Sequence, residues 1–253
     1  MEPLMAWLLD RAGLSATGYR PAAMKRRLTS CLRQLRVASA RAAREELERR
    51  PELLAPVLNT VLIGVTDFFR DAAVFEYLAG RVLPELRRER GQLRICSVGV
   101  SGGQELYSVA MLLHEAGMLE RSWLLGADCR ADAVGRAEAG VFSEAEMAGV
   151  SPSRRAAFFR SGAAGWEAAP VLKERIQWRT ADVMGLEIEA RQALVLFRNV
   201  AIYFTEAQTA AAWARLCGRL VPGGFIVTGK AEKPPSGLPL KRVAPSIYRR
   251  IPF

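Results

Sequence analysis

Apolar and polar residues follow two different patterns along the chain, and the change comes near residue 93. From about Ala6 to Asn59 the apolar positions recur at helical spacing, as at Met24, Leu28 and Leu32, which predicts an amphipathic helical region. Another helical segment is predicted over residues 72–90. Beyond it, short apolar runs alternate with amphipathic segments, and this alternation is typical of a parallel sheet with connecting helices.

The apolar runs after residue 92 predict the strands of that sheet. They begin at Leu93, Trp123, Arg175, Ala193 and Phe225, and a last strand is predicted within residues 241–251. The segments 132–140 and 205–220 are predicted as helices, and 222–224 as a turn. We therefore expect an α/β fold with a mostly parallel, twisted sheet, helices on both faces, and ligand contacts at the carboxyl edge of the strands.

The composition limits the class of protein. The chain has 253 residues, of which 50% are apolar, enough for one large domain or for one domain with a small helical appendage. No apolar run is long enough to span a bilayer, and the N-terminus lacks a basic start before an apolar stretch, so we expect a cytoplasmic protein without membrane insertion. The four cysteines form no C-x-x-C pair, so neither disulfides nor a metal site is predicted.

The formal net charge of +10 favours an acidic partner, but charge alone does not choose between nucleic acid, a membrane surface and an acidic protein. Part of this charge lies on the polar side of one predicted helix. The residues are Lys25, Arg26, Arg27, Arg33 and Arg36. Two interpretations stay open for them: a solvated charged face, or a surface that docks acidic protein helices.

A compact motif, Thr66-Asp-Phe-Phe-Arg70, precedes the second helical segment. Phe68 and Phe69 are expected to anchor this motif in the core. Arg70 beside them would be costly to bury without an anionic partner. Either a carboxylate ligand or a structural salt bridge would supply that partner.

Candidate ligand groups follow three of the predicted strands. Gly99 and Gly103 lie in a turn between a strand and a helix, where glycine lets the backbone approach a ligand closely. Asp128 ends the next strand, and in parallel α/β nucleotide sites an acid at this place accepts hydrogen bonds from ribose hydroxyls. Asp128 as the cap of the following helix is the alternative. Arg198 and Asn199 follow a third strand.

With these motifs in order, the chain resembles the CheR family, the S-adenosylmethionine-dependent methyltransferases that esterify glutamate side chains on chemoreceptors. The resemblance covers nearly the whole chain and rests on several spaced motifs. They lie at residues 66–70, 103–108, 127–128, 197–204, 222–224 and 229–232.

The resemblance implies a small all-α N-terminal domain over residues 1–71 and a Rossmann-like class I methyltransferase domain over residues 72–253, with room for a short insertion near 155–178. It implies S-adenosylmethionine as the cofactor and S-adenosylhomocysteine as the product. The reaction would be methyl transfer to glutamate carboxylates of a chemoreceptor or related signalling protein. An acidic helical face of that partner would meet the basic helix, and we expect the chain to be a monomer.

The resemblance also assigns roles to residues by position. Arg70 and Tyr203 would lie at the catalytic centre, Arg70 orienting the substrate carboxylate and Tyr203 close to the transferring methyl group. The cofactor would be held by Thr66, Arg70, Gly99, Gly103, Gln104, Glu105, Asp128, Ala181, Asp182, Arg198 and Asn199. An ionised glutamate needs no general base, so the protein's task is to align the reactants and exclude water.

The chain departs from the family pattern at several positions, among them Gly64, Gln104 and Lys230. These departures motivate an alternative: a CheR-like module that binds the cofactor or docks a signalling partner as a regulator, with weak turnover or none. Only the positive charge of the chain favours a third hypothesis, a nucleic-acid methyltransferase. Because the chain lacks an Asn/Asp-Pro-Pro-Tyr/Phe motif and an aromatic-rich basic face, no specific nucleic acid partner is predicted.

Overall fold

The computed structural model describes residues 1–62, 66–89, 91–188 and 191–252. The N-terminal part is helical, as predicted. Its helices are α1 (Pro3–Arg11), α2 (Pro21–Leu35), α3 (Ala40–Arg49) and α4 (Leu54–Val61). Proline begins α1 and α2, where its missing N–H removes no helical hydrogen bond, and the Ser39 side chain caps α3.

The remaining helices surround the strands. They are α5 (Ala72–Tyr77), α6 (Leu83–Arg88), α7 (Gln104–Glu115), α8 (Ala131–Ala139), α9 (Pro152–Phe158), α10 (Pro170–Lys173) and α11 (Glu206–Arg219). A π-helical turn, Leu78–Val82, joins α5 to α6, so the second predicted helical segment is one nearly continuous helix. Helix α7 is the most deeply embedded of these, because most of its residues are buried.

The strands form two sheets. They are β1 (Leu93–Val98), β2 (Ser122–Asp128), β3 (Val141–Phe142), β4 (Phe159–Gly162), β5 (Gly165–Ala168), β6 (Ile176–Thr180), β7 (Gln192–Phe197), β8 (Leu220–Thr228), β9 (Leu240–Ala244) and β10 (Ile247–Arg250). The main sheet has the order β6-β2-β1-β7-β8-β10-β9. Its first five strands are parallel, and β10 and β9 are antiparallel. The predicted α/β fold with a mostly parallel sheet is confirmed.

Helices cover both faces of the main sheet. In β7, Leu194 and Leu196 enter a hydrophobic cluster with buried side chains of α5, α6 and α7. Val195 and Phe197 enter a second cluster with α11 and the N-terminal helices. Every residue of β7 is buried, as expected for a central parallel strand. The N-terminal helices therefore complete the hydrophobic cover of one face.

A small antiparallel sheet in the order β3-β5-β4 lies beside the first cluster. Phe142 of β3 and Phe159 of β4 pack edge-on against Phe68, with ring centroids 4.8 and 5.5 Å away. Phe68 is thus buried as expected, whereas Phe69 is only half-buried. The strand predicted at Arg175 is β6 and belongs to the main sheet.

The C-terminal prediction was wrong in two details. Residues 240–250 form two strands instead of one, because Ser246, with φ of 62°, reverses the chain between β9 and β10. Residues 222–224 are no separate turn but lie within β8, where the register against β7 shifts and Gly223 has φ of 81°. Over the part of the chain described, no helix is long and apolar enough to traverse a membrane.

Candidate active site

A pocket of about 250 Å³ lies at the carboxyl ends of the central strands. Val98 and Asp128, at the ends of β1 and β2, form part of its wall. The N-terminal region closes the other side with Tyr19, Met24 and Val61. The pocket therefore lies at the sheet edge where the sequence predicted ligand contacts.

Most of the predicted site residues meet in this pocket. Those that line it are Arg70, Gly99, Asp128, Ala181, Asp182, Arg198, Asn199 and Tyr203. Those that do not line it are Thr66, Gly103, Gln104 and Glu105. Gly64, one of the departures from the family pattern, lies outside the described residues.

The loop residues that miss the pocket pack inside the protein. A Cβ at Gly103, whose φ is 87°, would lie 2.8 Å from the Trp178 side chain, so close packing requires glycine there. Gln104 is buried and donates a hydrogen bond from Nε2 to Glu146, 2.9 Å away. Its Oε1 atom has no hydrogen-bond partner among the described residues. The departure at Gln104 thus lies behind the pocket wall.

Gly99 brings its own loop against the loop after β7 and against strand β2. A Cβ at this position, whose φ is 76°, would lie 2.4 Å from Cγ2 of Val200 in the loop after β7. The amides of Gly99 and Val100 both donate to the carbonyl of Ala127 in β2, at 2.8 and 3.1 Å. Glycine is therefore needed here for the contact between two loops of the protein.

Asp128 is buried at the end of β2 and its carboxylate is fixed by three groups. Oδ2 accepts from the Ser101 amide at 2.8 Å, and Oδ1 accepts from the amide and Nε of Arg130, each at 3.0 Å. The cap position of α8 belongs to Arg130, so Asp128 is not the cap of that helix. Burial lowers the pKa of Arg130, but the charge of Asp128 and the hydrogen bond to it outweigh burial and raise that pKa. The sequence analysis missed Arg130, although its place two residues after the acid was a signal.

Arg198 is buried and joins the segment that carries Arg70 to the start of α7. Its guanidinium, whose side chain is 1% exposed, donates to Glu105 Oε2 at 2.6 Å and to Asp71 Oδ2 at 2.7 Å. It also donates to the carbonyl of Arg70 at 3.1 Å. These bonds fix the backbone that carries Arg70 relative to the start of α7.

The two acids that Arg198 joins have opposite pKa shifts. Burial raises the pKa of Glu105, although Arg198 acts against this change. The pKa of Asp71 is lowered, first by its hydrogen bond with Lys230 and then by the charges of Arg198, Lys230 and Arg70. Lys230, another departure from the family pattern, is therefore the ion-pair partner of Asp71 at 2.6 Å.

Glu232 shapes the loop after β7. Its buried carboxylate accepts hydrogen bonds from the amides of Asn199, Val200, Ala201 and Gly229 at 2.6 to 2.8 Å. These bonds hold Asn199 in a left-handed conformation with φ of 59°. The sequence analysis recorded Glu232 in the motif at 229–232 but gave it no role.

The start of α2 is joined to the segment that carries Tyr203. The Arg20 amide donates to the Tyr203 carbonyl at 2.9 Å, and Tyr19 forms an isolated β-bridge with Phe204. Arg27 donates to the Tyr203 hydroxyl at 3.4 Å and lies 5.7 Å from its ring centroid. Burial raises the pKa of Tyr19, so its hydroxyl stays protonated in the pocket wall.

The predicted basic residues of α2 differ in exposure. Lys25, Arg26, Arg33 and Arg36 are exposed, whereas Arg27 is half-buried against Tyr203. Lys25, Arg26 and Arg33 thus lie on the solvent side of α2, Arg36 directly follows the end of this helix, and Arg27 lies at the site.

The pocket wall combines acidic and apolar side chains. Asp128 and Asp182 both line it, and carboxylate oxygens can accept hydrogen bonds from the hydroxyl groups of a ligand. Apolar side chains such as Leu62 and Val183 can cover an aromatic base. Among the described residues no cluster of histidine, cysteine and acidic side chains could hold a metal ion.

Comparisons with known proteins show which family and which proteins the chain is similar to. The family described as CheR methyltransferase, SAM binding domain, matches residues 64–242. The chain is 28% identical over 222 residues to the chemotaxis protein methyltransferase of Listeria monocytogenes, covering 87% of this chain and 85% of that protein. It is 31% identical over 195 residues to chemotaxis protein methyltransferase 1 of Pseudomonas aeruginosa, covering 73% and 71%. Among solved structures it is similar to the glycopeptide N-methyltransferase MtfA complexed with S-adenosyl-L-homocysteine, with TM-score 0.40 and 15% identity, covering 66% of this chain and 55% of that one.

Proposed function

The chain belongs to the CheR methyltransferase family, with S-adenosylmethionine as its cofactor, and from this premise we propose that it methylates glutamate side-chain carboxylates of a chemoreceptor or related signalling protein. The observation that carries this proposal is the single pocket in which Arg70, Asp128 and Tyr203 meet. The product would be a glutamate methyl ester.

We assign the residues of the pocket either to binding of the cofactor or to alignment of the two reactants. Asp128 would accept hydrogen bonds from the ribose, and Ala181 and Asp182 would lie along the base and ribose. When bound, S-adenosylmethionine supplies the electrophilic methyl group. An ionised glutamate needs no general base to accept it, so alignment and exclusion of water remain for the protein to provide.

Arg70 is the cation that we assign to the substrate carboxylate. It lines the pocket, and its backbone is fixed by the Arg198 bond to its carbonyl. A guanidinium can orient a carboxylate through directional hydrogen bonds, but a contact that is too tight would lower the nucleophilicity of that carboxylate. We therefore assign Arg70 to orientation, and Tyr203 to the position of the methyl donor.

The partner surface is assigned to the exposed basic residues of α2. Because this helix begins beside Tyr203, a partner docked on it would reach the pocket. Its face would be acidic and helical, since the exposed cations form a stripe on one helix.

Calorimetric titration with S-adenosylmethionine and S-adenosylhomocysteine tests the cofactor site. We expect the wild type to bind both ligands and Asp128→Ala to bind neither, whereas Asp10→Ala, which removes an exposed acid, should bind normally. Absence of binding to the wild type would overturn the proposal.

Methyl transfer to a chemoreceptor cytoplasmic fragment tests the reaction. With methyl-labelled cofactor, we expect label that alkali releases as methanol, and no such label when the receptor glutamates are replaced by alanine. Arg70→Ala should lower the transfer rate on the order of 100-fold, the effect of misplacing a reactant, while exposed Arg81→Ala should not. Cofactor binding without transfer to any glutamate would favour the regulatory module instead.

A further inference from the structure

Arg130 forms a buried ion pair that the proposed reaction does not use. Its side chain is 4% exposed and that of Asp128 is 5% exposed. Nε and Nη2 of Arg130 face the two carboxylate oxygens of Asp128 at 3.0 and 3.4 Å. Both residues line the pocket. A pair this well buried holds its geometry only if the remaining donors of the guanidinium are also satisfied.

A further hydrogen bond of the Arg130 guanidinium connects it to the N-terminal helices. Nη1 of Arg130 donates to Oδ1 of Asn59 in α4 at 3.0 Å. The side-chain Nδ2 atom of Asn59 in turn donates a hydrogen bond to Oδ2 of Asp132 in α8. Helix α4 packs against α2, the basic helix, and Val61 of α4 lines the pocket. A chain of hydrogen bonds therefore runs from Asp128 through Arg130 to the helix that supports α2.

Resting on the proposed function, in which Asp128 holds the ribose, we propose that Arg130 is a positioning residue that fixes the Asp128 carboxylate for cofactor binding and that Asn59 anchors it to the N-terminal helices. Arg130 acts through Asp128 and is not itself a ligand of the cofactor. The N-terminal helices, which carry the basic docking face, thereby contribute to cofactor affinity.

Arg130 is the counter-ion of Asp128. Other ionisable groups act on the neighbours of this pair: Asp132 of α8 acts on Arg130, and Asp182 from the loop after β6 acts on Tyr19 and Cys129. Burial raises the pKa of Tyr19, and it raises the pKa of the neighbouring Cys129 to about 12, so both are neutral near pH 7. The other two are acids. Without the guanidinium, the buried Asp128 carboxylate would lose its counter-ion, and a buried charge without such a partner is costly.

The test compares S-adenosylhomocysteine affinity, by calorimetry, in the wild type and in Arg130→Met, Arg130→Lys and Asn59→Ala. We expect Arg130→Met to weaken binding on the order of tenfold or more, because Asp128 loses the cation that orients its carboxylate. Arg130→Lys keeps the positive charge and should restore most of the affinity. Asn59→Ala should weaken binding a few-fold, on the scale of one lost hydrogen bond.

The controls separate this proposal from general damage and from the proposed function. Arg136→Met removes an exposed cation from the same helix and should bind as the wild type does. If the wild type and Asp128→Asn bind equally well, Asp128 does not hold the cofactor and both proposals are contradicted. If Asp128→Asn binds more weakly but Arg130→Met keeps wild-type affinity, the role of Arg130 is contradicted and that of Asp128 is supported.

Discussion

Residues near the pocket adopt backbone conformations that their side chains do not favour. Phe69, Asp71, Ser101 and Asn199 have φ of 52°, 63°, 49° and 59°, in the left-handed region. Each such residue raises the free energy of the folded state by on the order of 1 kcal/mol or more, so surrounding contacts must stabilise its conformation. Ser101 donates to Asp128 and Asn199 donates to Glu232, while Arg198 holds Asp71. Buried charged groups thus maintain the local shape of the site.

Glu232 offers the sharpest test of this interpretation. Glu232→Ala would leave four backbone N–H groups without their acceptor, of which the Ala201 and Gly229 amides are in buried surroundings. We expect the free energy of unfolding to fall by about 3 kcal/mol or more, measured by urea denaturation. Glu232→Gln retains one acceptor oxygen, so its free energy of unfolding should fall by less than that of Glu232→Ala. Glu76→Ala, which removes an exposed acid from α5, is the control. A loss equal to that of the control would show that the loop does not depend on Glu232.

Helices and strands with a regular pattern of apolar residues were predictable from the sequence. The strands β1, β2 and β7 are short apolar runs because both faces of the sheet are covered, and α11 has the amphipathic spacing from which a helix was predicted. The C-terminal hairpin was not predictable, because the reversal rests on one serine with positive φ. The convergence of Gly99, Asp128 and Arg198 followed from the rule that parallel strands present their carboxyl ends at one edge.

Other parts of the site depend on contacts between distant segments. Tyr19 lines the pocket through tertiary packing, and no local pattern predicts this contact. The position of Arg130 close to Asp128 in the sequence was a signal, but its hydrogen bond to Asn59 was not predictable. Glu105 lies next to predicted ligand residues in the sequence, yet its side chain turns to Arg198. Sequence position placed Glu105 near the site, but the direction of its side chain depends on packing with Arg198.

The end of α6 depends on a residue far along the chain. Arg121 donates from Nη1 to the carbonyls of Glu89 and Gly91 at 2.7 and 3.2 Å, and from Nη2 to those of Leu86 and Arg87 at 3.3 and 3.2 Å. This places a cation on the free carbonyls of the helix C-terminus, where the helix dipole favours positive charge.

Replacing Arg121 by methionine should therefore lower the free energy of unfolding by about 1 to 2 kcal/mol, as measured by urea denaturation. Arg88→Met removes an exposed cation from the last turn of the same helix without removing these hydrogen bonds, and it should cost less than about 0.5 kcal/mol. Equal losses in the two variants would mean that charge, and not the four carbonyl contacts, supports the terminus.

At the scale of the whole molecule, the two faces of the sheet carry different helices, and this separates two basic surfaces. The N-terminal helices lie over one face, and α5 and α6 lie over the other. Lys25, Arg26 and Arg33 are exposed on α2, while Arg81, Arg87 and Arg88 are exposed on the opposite face. Net positive charge accelerates any encounter with an acidic protein, but only a docking face should affect the encounter that leads to methylation.

Charge reversal on each face distinguishes the effect of a docking face from the effect of the total net charge. The triple variant Lys25→Glu, Arg26→Glu, Arg33→Glu should raise the KM for a receptor fragment by on the order of tenfold at low salt, because attraction becomes repulsion. Its affinity for S-adenosylhomocysteine should stay unchanged, since the three side chains point away from the pocket wall into solvent. The loss should shrink as salt rises, because exposed charges are screened over about 10 Å at 0.1 M ionic strength. Reversal of Arg81, Arg87 and Arg88 changes the net charge equally. If it raises KM as much, the partner responds to total charge, and α2 is not the docking face.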